Sequence, residues 1–346
     1  MSDPLIHPEE EGAEAPASRW RWVFYGFAVA LLVACVYFAV QGAQGEDGPS
    51  GWQRLREAAW QDLAMMLGLV VGSVAINGWL FWMILKPFEP DHQQHRPVTL
   101  REMVGLIAAS SLLNYLPMRA GMIGRAAYLK RLHGVDYKSS VAMLVIVAGA
   151  TVFVFVLMAA ATLWREGLDA IWWATVAAGI VAASVVAVPM MRWKLKLLRG
   201  VPLGWFEHHR RQTAMLLTLI MAARAADVLM LAGRLYIAAA IFGTPLEWPG
   251  AVVMATGGML ITLATPLPNG LGLREGLYGL FAAVGVAGAA MPDGPMGVAI
   301  GLMDRAAEAV VFIVVGVIAL AYLHRKQKRA GAQEVRRVAD HVSPRA

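Results

Sequence analysis

The sequence contains one cysteine, Cys35, so it holds neither an intrachain disulfide nor a CxxC metal site. Charge is scarce as well. Asp, Glu, Lys and Arg make up 16% of the 346 residues against 58% hydrophobic, and the mean hydropathy is +0.55, far above what a soluble domain of this length needs to fill a core. No P-loop, HExxH or GxSxG occurs, which removes the usual sequence supports for nucleotide hydrolysis, zinc proteolysis and serine hydrolysis. The chain is therefore not expected to be an enzyme. The HQQH stretch at 92–95 sits in a proline-flanked loop without a third ligand, so no metal and no cofactor are expected. The formal net charge of +6 does not read as nucleic-acid binding, because Lys and Arg fall in short clusters between apolar runs rather than along one polar face.

Long apolar runs are what the sequence does have. Residues 22–40, 63–85, 139–163, 169–190, 213–242 and 296–323 each supply the roughly 17–25 apolar positions that cross a bilayer. Small residues follow the first run, but no clear A-x-A cleavage site does, so it reads as a span rather than a signal peptide. Residues 1–21, acidic and Pro-bearing, read as a disordered cytoplasmic tail, and 324–346 as a basic cytoplasmic tail. Two further apolar regions, 100–134 and 250–285, are broken in the middle by Leu-Pro followed by glycine. Backbone freed in this way is tolerated at membrane depth only where protein or water surrounds it, so both regions read as re-entrant helical hairpins. The fold class expected is an all-α polytopic membrane protein with six full transmembrane helices and two hairpins.

The distribution of cations tests this layout. With both termini cytoplasmic, Lys86 and Arg96, then Lys130, Arg131 and Lys138, then the six cations of 191–212, and finally the tail after 323 all fall inside. The outer segments 243–249 and 286–295 carry no Lys or Arg. Arg54 and Arg56 in the first outer loop are a mild exception. Counting either hairpin as a full crossing would reverse the loops that follow it.

The same parity exposes a repeat. LPMRAGMIGRAAYLKRLHG (116–134) aligns with LPNGLGLREGLYGLFAAVG (267–285), pairing Gly121 with Gly272, Leu129 with Leu280 and Gly134 with Gly285. The order span, loop, span, hairpin, span runs through 22–163 and again through 169–323. Each unit crosses three times, so the second is expected to be inverted, an arrangement typical of transporters.

Charges within such segments default to functional hypotheses. They are Arg119, Arg125, Arg274 and Glu275 in the hairpins, Arg224, Asp227 and Arg234 in 213–242, and Asp304, Arg305 and Glu308 in 296–323. The pairs Arg224/Asp227 and Arg305/Glu308 share a helix face and are able to neutralise themselves. Helices starting after Pro117 and Pro268 would aim free N–H groups inward, which suits an anion such as phosphate. Arg119, Arg125 and Arg274 match its oxygens in a fork, and Gly121, Gly270 and Gly272 leave room at the backbone.

NYLPMRAGMIGRAAYLKR (114–131), PLPNGLGLREGLYGLFAAVG (266–285) and Arg305 resemble the membrane region of the lysylphosphatidylglycerol synthase/flippase family over roughly residues 20–325. Asn114, Leu116, Pro117, Arg119, Gly121, Arg125 and Ala126 match its first motif. Leu267, Pro268, Gly270, Gly272, Arg274 and Glu275 match its second. Where the family carries an acid after the first hairpin glycine, this chain has Met122. The resemblance implies an inner-membrane flippase without the soluble aminoacyltransferase domain, acting on a phospholipid or lipid-linked anion and working beside a separately encoded lipid-modifying enzyme. The implied substrate-binding set is Asn114, Pro117, Arg119, Gly121, Arg125, Pro268, Asn269, Gly270, Gly272, Arg274 and Glu275. Arg224, Asp227, Asp304, Arg305 and Glu308 stand as proton-relay or counter-charge residues. Transport of a soluble anion and a non-transporting scaffold for an envelope enzyme are the alternatives.

Overall fold

The structure is a computed structural model that describes residues 56–89, 96–115, 120–165, 167–195, 209–244, 246–265, 270–285 and 294–342. The expected first span at 22–40 lies outside them, as do Pro117, Arg119, Pro268 and Asn269. The described residues are helical throughout, with no strand among them. The helices are α1 (Trp60–Leu85), α2 (Leu100–Leu113), α3 (Ala120–His133), α4 (Tyr137–Arg165), α5 (Ala170–Leu195), α6 (Arg210–Ile241), α7 (Trp248–Ala264), α8 (Leu273–Val284) and α9 (Gly294–Val342).

Five of these, α1, α4, α5, α6 and α9, are long and apolar enough to cross a membrane, and they fall on five of the six expected spans. Their outward faces are apolar: Val145 and Val156 on α4, Val181 and Val185 on α5, and Ile313, Val314 and Val317 on α9 are all exposed. Such faces need lipid rather than water against them. One boundary differs from the sequence reading. α9 does not stop at 323 but runs on through the basic residues to Val342, because the tail from His324 onwards is rich in good helix formers and free of Pro and Gly until Gly331.

Local chemistry sets the ends of the shorter helices. The Thr99 side chain caps α2 by accepting from the Glu102 N–H at 3.3 Å. α7 opens with Pro249 in its first turn, where a missing N–H costs nothing. α3 and α8 are each followed by a glycine in left-handed conformation, Gly134 and Gly285, both at φ 66°. These are the two glycines that the sequence repeat places opposite each other.

α6 is the hub, packing on α1, α4, α5, α7 and α9. α2 packs against α3, α1 and α9, while α7 packs against α8, α6 and α4. α3 leans on α4 and α8 on α9. Apart from the packing of α6 on α5, exchanging α1–α4 for α6–α9 carries each of these contacts onto another contact that is also present.

Within the first helix pair, Gly121 of α3 lies against α2. A Cβ there would collide with the Ser110 carbonyl oxygen and come within 2.6 Å of Asn114 Oδ1. The opening expected at Gly121 is thus filled by α2. Gly121→Ala is expected to lower stability by about 1–3 kcal/mol through overpacking against backbone, read as a lower midpoint of thermal unfolding in detergent.

Candidate functional site

Helices α6, α8 and α9 bring three arginines and three carboxylates together. Arg234 on α6 reaches α9, with Nε 2.9 Å from Asp304 Oδ1 and Nη2 donating to Glu308 Oε1 at 2.8 Å. The first of these is an ion pair without hydrogen-bond alignment, since both atoms otherwise lack a hydrogen-bond partner. Arg274, near the start of α8, donates to Asp304 Oδ2, to Glu308 Oε1 at 3.3 Å and to the Tyr278 hydroxyl at 2.7 Å. Arg305 donates to Glu275 Oε1 at 2.7 Å and to Glu308 Oε2 at 3.0 Å. All six charged residues are buried. The charges match in number, and each guanidinium meets at least one carboxylate, the condition under which buried ions are tolerable.

Glu275 is committed on both oxygens. Oε2 accepts from the Gly272 N–H at 2.7 Å, capping α8, while Oε1 takes Arg305. The N-terminus of α8, expected from sequence to face an anion, is therefore partly satisfied by its own third residue. Gly270 and Gly272 hold the turn before it at φ 66° and 81°, a region that side-chain-bearing residues avoid.

A second polar cluster joins α1 to α6. Asp227 accepts from Ser73 Oγ and from Asn77 Nδ2, the latter at 3.0 Å. Arg224 donates from Nη1 to Asp227 at 3.2 Å and to Asn77 Oδ1 at 2.5 Å. The expected pair Arg224/Asp227 thus forms, as does Arg305/Glu308, but neither is self-contained. One turn along α1 from Asn77, Phe81 presents its ring 4.0 Å from the Arg125 guanidinium. Arg125 is 9% exposed, and among the described residues no carboxylate pairs with it. Asn114 Oδ1, at the end of α2, is buried without a hydrogen-bond partner.

The lysylphosphatidylglycerol synthase TM region, as a family model, matches residues 23–316. The chain belongs to this family. It is a multi-pass membrane protein whose family is linked to lipid handling. Comparison with curated proteins and with solved structures gives no match.

In this member of the lysylphosphatidylglycerol synthase TM-region family, Arg274, Glu275, Asp304, Arg305 and Glu308 meet in one network, Arg224 and Asp227 in another, and Arg125 stands beside the second. Sequence reasoning passed over Tyr278, whose ring occupies the space left by Gly258 and Gly301, and Ser73 and Asn77. The i,i+4 spacing of two polar residues in the apolar run of α1 was their available signal.

It also passed over a polar latch at the loop-facing end of α2. Buried Glu102 accepts from the Tyr128 hydroxyl at 2.7 Å and from Lys326 Nζ at 2.5 Å. His133 contacts it through Nε2 at 3.0 Å and meets the Arg96 carbonyl through Nδ1 at 2.7 Å. Burial pushes the Glu102 carboxyl up, but bonds from His133, Lys326 and Tyr128 outweigh it and hold the group at about 2, below its ordinary 4.5.

Two outcomes follow. Asp304→Asn leaves Arg234 and Arg274 short of a counter-charge and is expected to cost about 3–5 kcal/mol, seen as a large fall in the thermal midpoint in detergent. For Glu102 the folded-state value is depressed, so its stabilisation is present above pH 4.5 and is lost as pH falls towards 2. The gap in thermal midpoint between parent and Glu102→Gln should be full at pH 7 and close progressively below pH 4.5.

Proposed function

We propose that this protein is a lipid translocase of the cytoplasmic membrane, moving a phosphate-bearing head group past two opposed helical hairpins while the acyl chains stay in lipid. In this reading six helices cross, the first being 22–40. The units 22–163 and 169–323 form an inverted repeat, the pairs α2/α3 and α7/α8 are re-entrant from opposite faces, and both termini are cytoplasmic. The reciprocal packing of the two sets of helices and the matched left-handed glycines at 134 and 285 support the repeat.

The observation that carries the function is Arg125. A guanidinium nine-tenths buried, against an aromatic ring and with no carboxylate among the described residues, is costly unless an anion completes it. Phosphate fits its fork of donors. From their place in the sequence we assign Asn114, Pro117 and Arg119 to the same site, and Pro268, Asn269, Gly270 and Gly272 to the opposing one. Arg274 and Glu275, already paired, link that turn to Asp304, Arg305 and Glu308, so that movement of the second hairpin and rearrangement of the network go together. The membrane lipid is the partner, with a separately encoded lipid-modifying enzyme supplying or using it.

Arg125→Gln, reconstituted in vesicles with fluorescent lipids, is expected to slow transbilayer movement at least about tenfold, the loss of one charge-assisted contact, with its thermal midpoint little changed. Equal rates in protein-free, parent and variant vesicles for every lipid sink the reading. Orientation is checked in a Cys35→Ser background with an impermeant thiol reagent. Leu100→Cys and Lys138→Cys, flanking the first hairpin, should label from one face, and Glu247→Cys and Val284→Cys from the other.

A further inference from the structure

The two halves differ in charge where they agree in packing. In the second half, α8 leans on α9 and Arg274 finds Asp304 and Glu308 there. In the first half, α3 also touches α4, though over a much smaller area, and between Lys138 and Arg165 that helix has no acid at all. What α4 offers Arg125 is Ser140, whose buried Oγ has no hydrogen-bond partner. Arg125 and Ser140 line one small cavity with Phe81, Met103, Met122 and Met143.

Three unbranched thioether side chains thus fill the space beside the guanidinium, and such side chains swing aside readily for a ligand. Asn77 and Phe81 lie one turn apart on α1, and Arg224 and Arg125 meet them respectively, so the two guanidiniums sit against successive turns of one helix face. Among the described residues they have one carboxylate between them, Asp227. Buried Nε of Arg224 also lacks a hydrogen-bond partner. The other acids near this end are engaged: Glu102 with His133, Tyr128 and Lys326, and the carboxylates of α9 with Arg234, Arg274 and Arg305. The joining residues 116–119 and the apolar run 22–40 contain no Asp or Glu.

We infer that the Arg125 half of the site takes an anionic phosphodiester head group that carries no amine, and that Met122 sets this preference. The inference rests on the translocase reading above. A net-negative ligand supplies the one counter-charge that the cluster lacks. An ammonium would enter a cavity walled by methionines and the Arg125 guanidinium, with no carboxylate among its lining residues and only the Ser140 hydroxyl and the ring face of Phe81, which Arg125 already occupies, to receive it. A carboxylate at position 122 would both neutralise Arg125 and receive an amine.

The test uses the full chain in vesicles with acyl-labelled phosphatidylglycerol, phosphatidylethanolamine and lysylphosphatidylglycerol, with soluble glycerol phosphate as a separate flux assay. The parent is expected to move phosphatidylglycerol about tenfold faster than either amine-bearing lipid. Met122→Glu should reverse the order, slowing phosphatidylglycerol and raising the amine-bearing lipids, a gain that misfolding does not produce. Ser140→Asp, which brings a carboxylate from the opposite wall, should shift the order in the same direction. Movement of the amine-bearing lipids at equal or higher rates in the parent, or an order unchanged in both variants, overturns the inference and leaves the translocase standing. No movement of any lipid, with or without flux of glycerol phosphate, overturns both.

Discussion

The second half of this protein is organised around one requirement: three arginines held among apolar helices must each meet a carboxylate. Arg234, Arg274 and Arg305 come from three different helices, and Glu308 contacts all of them. Helix α9 therefore has to present Asp304, Arg305 and Glu308 along one stretch, and α8 has to begin where Arg274 and Glu275 reach it. The glycine turn at 270–272, the Glu275 cap and the insertion of Tyr278 between Gly258 and Gly301 all serve that register. Removing one member leaves another ion buried and uncompensated, so the network resists piecemeal change.

The first half keeps the architecture without the balance. Its helices α2 and α3 close tightly at Gly121, its helices pack in the reciprocal pattern, and its arginine is buried too, yet the helix opposite contributes a serine instead of two acids. In the translocase proposed above, such asymmetry separates jobs: a neutral half is stable in itself, while a half with spare positive charge gains stability from an anionic ligand. Met122, which lines the same cavity as Arg125 and carries no charge, belongs to the same asymmetry.

The polar latch ties the first hairpin to the far end of the chain, since Glu102 and Lys326 are 224 positions apart. It fixes both helices of the α2/α3 pair, through Glu102 on α2 and His133 on α3, to Lys326 on α9. The helix that anchors the charge network of the second half thus also holds the base of the first hairpin, and any displacement of α9 is felt in both.

The sequence alone determined the class of the protein, the apolar helices at 63–85, 139–163, 169–190, 213–242 and 296–323, the breaks between α2 and α3 and between α7 and α8, and the inventory of charges within them. These are local properties: length of apolar run, prolines and glycines, and the cost of an ion in hydrocarbon are all written in neighbouring residues. Only the tertiary structure decided which charge meets which. Arg234 finds Glu308 across 74 positions and Asn77 finds Asp227 across 150, and no local pattern distinguishes Arg274, neutralised by Asp304 and Glu308, from Arg125, which meets no carboxylate among the described residues. That difference arises from the helix packed opposite each, because the energy of a buried charge is set by what faces it in space.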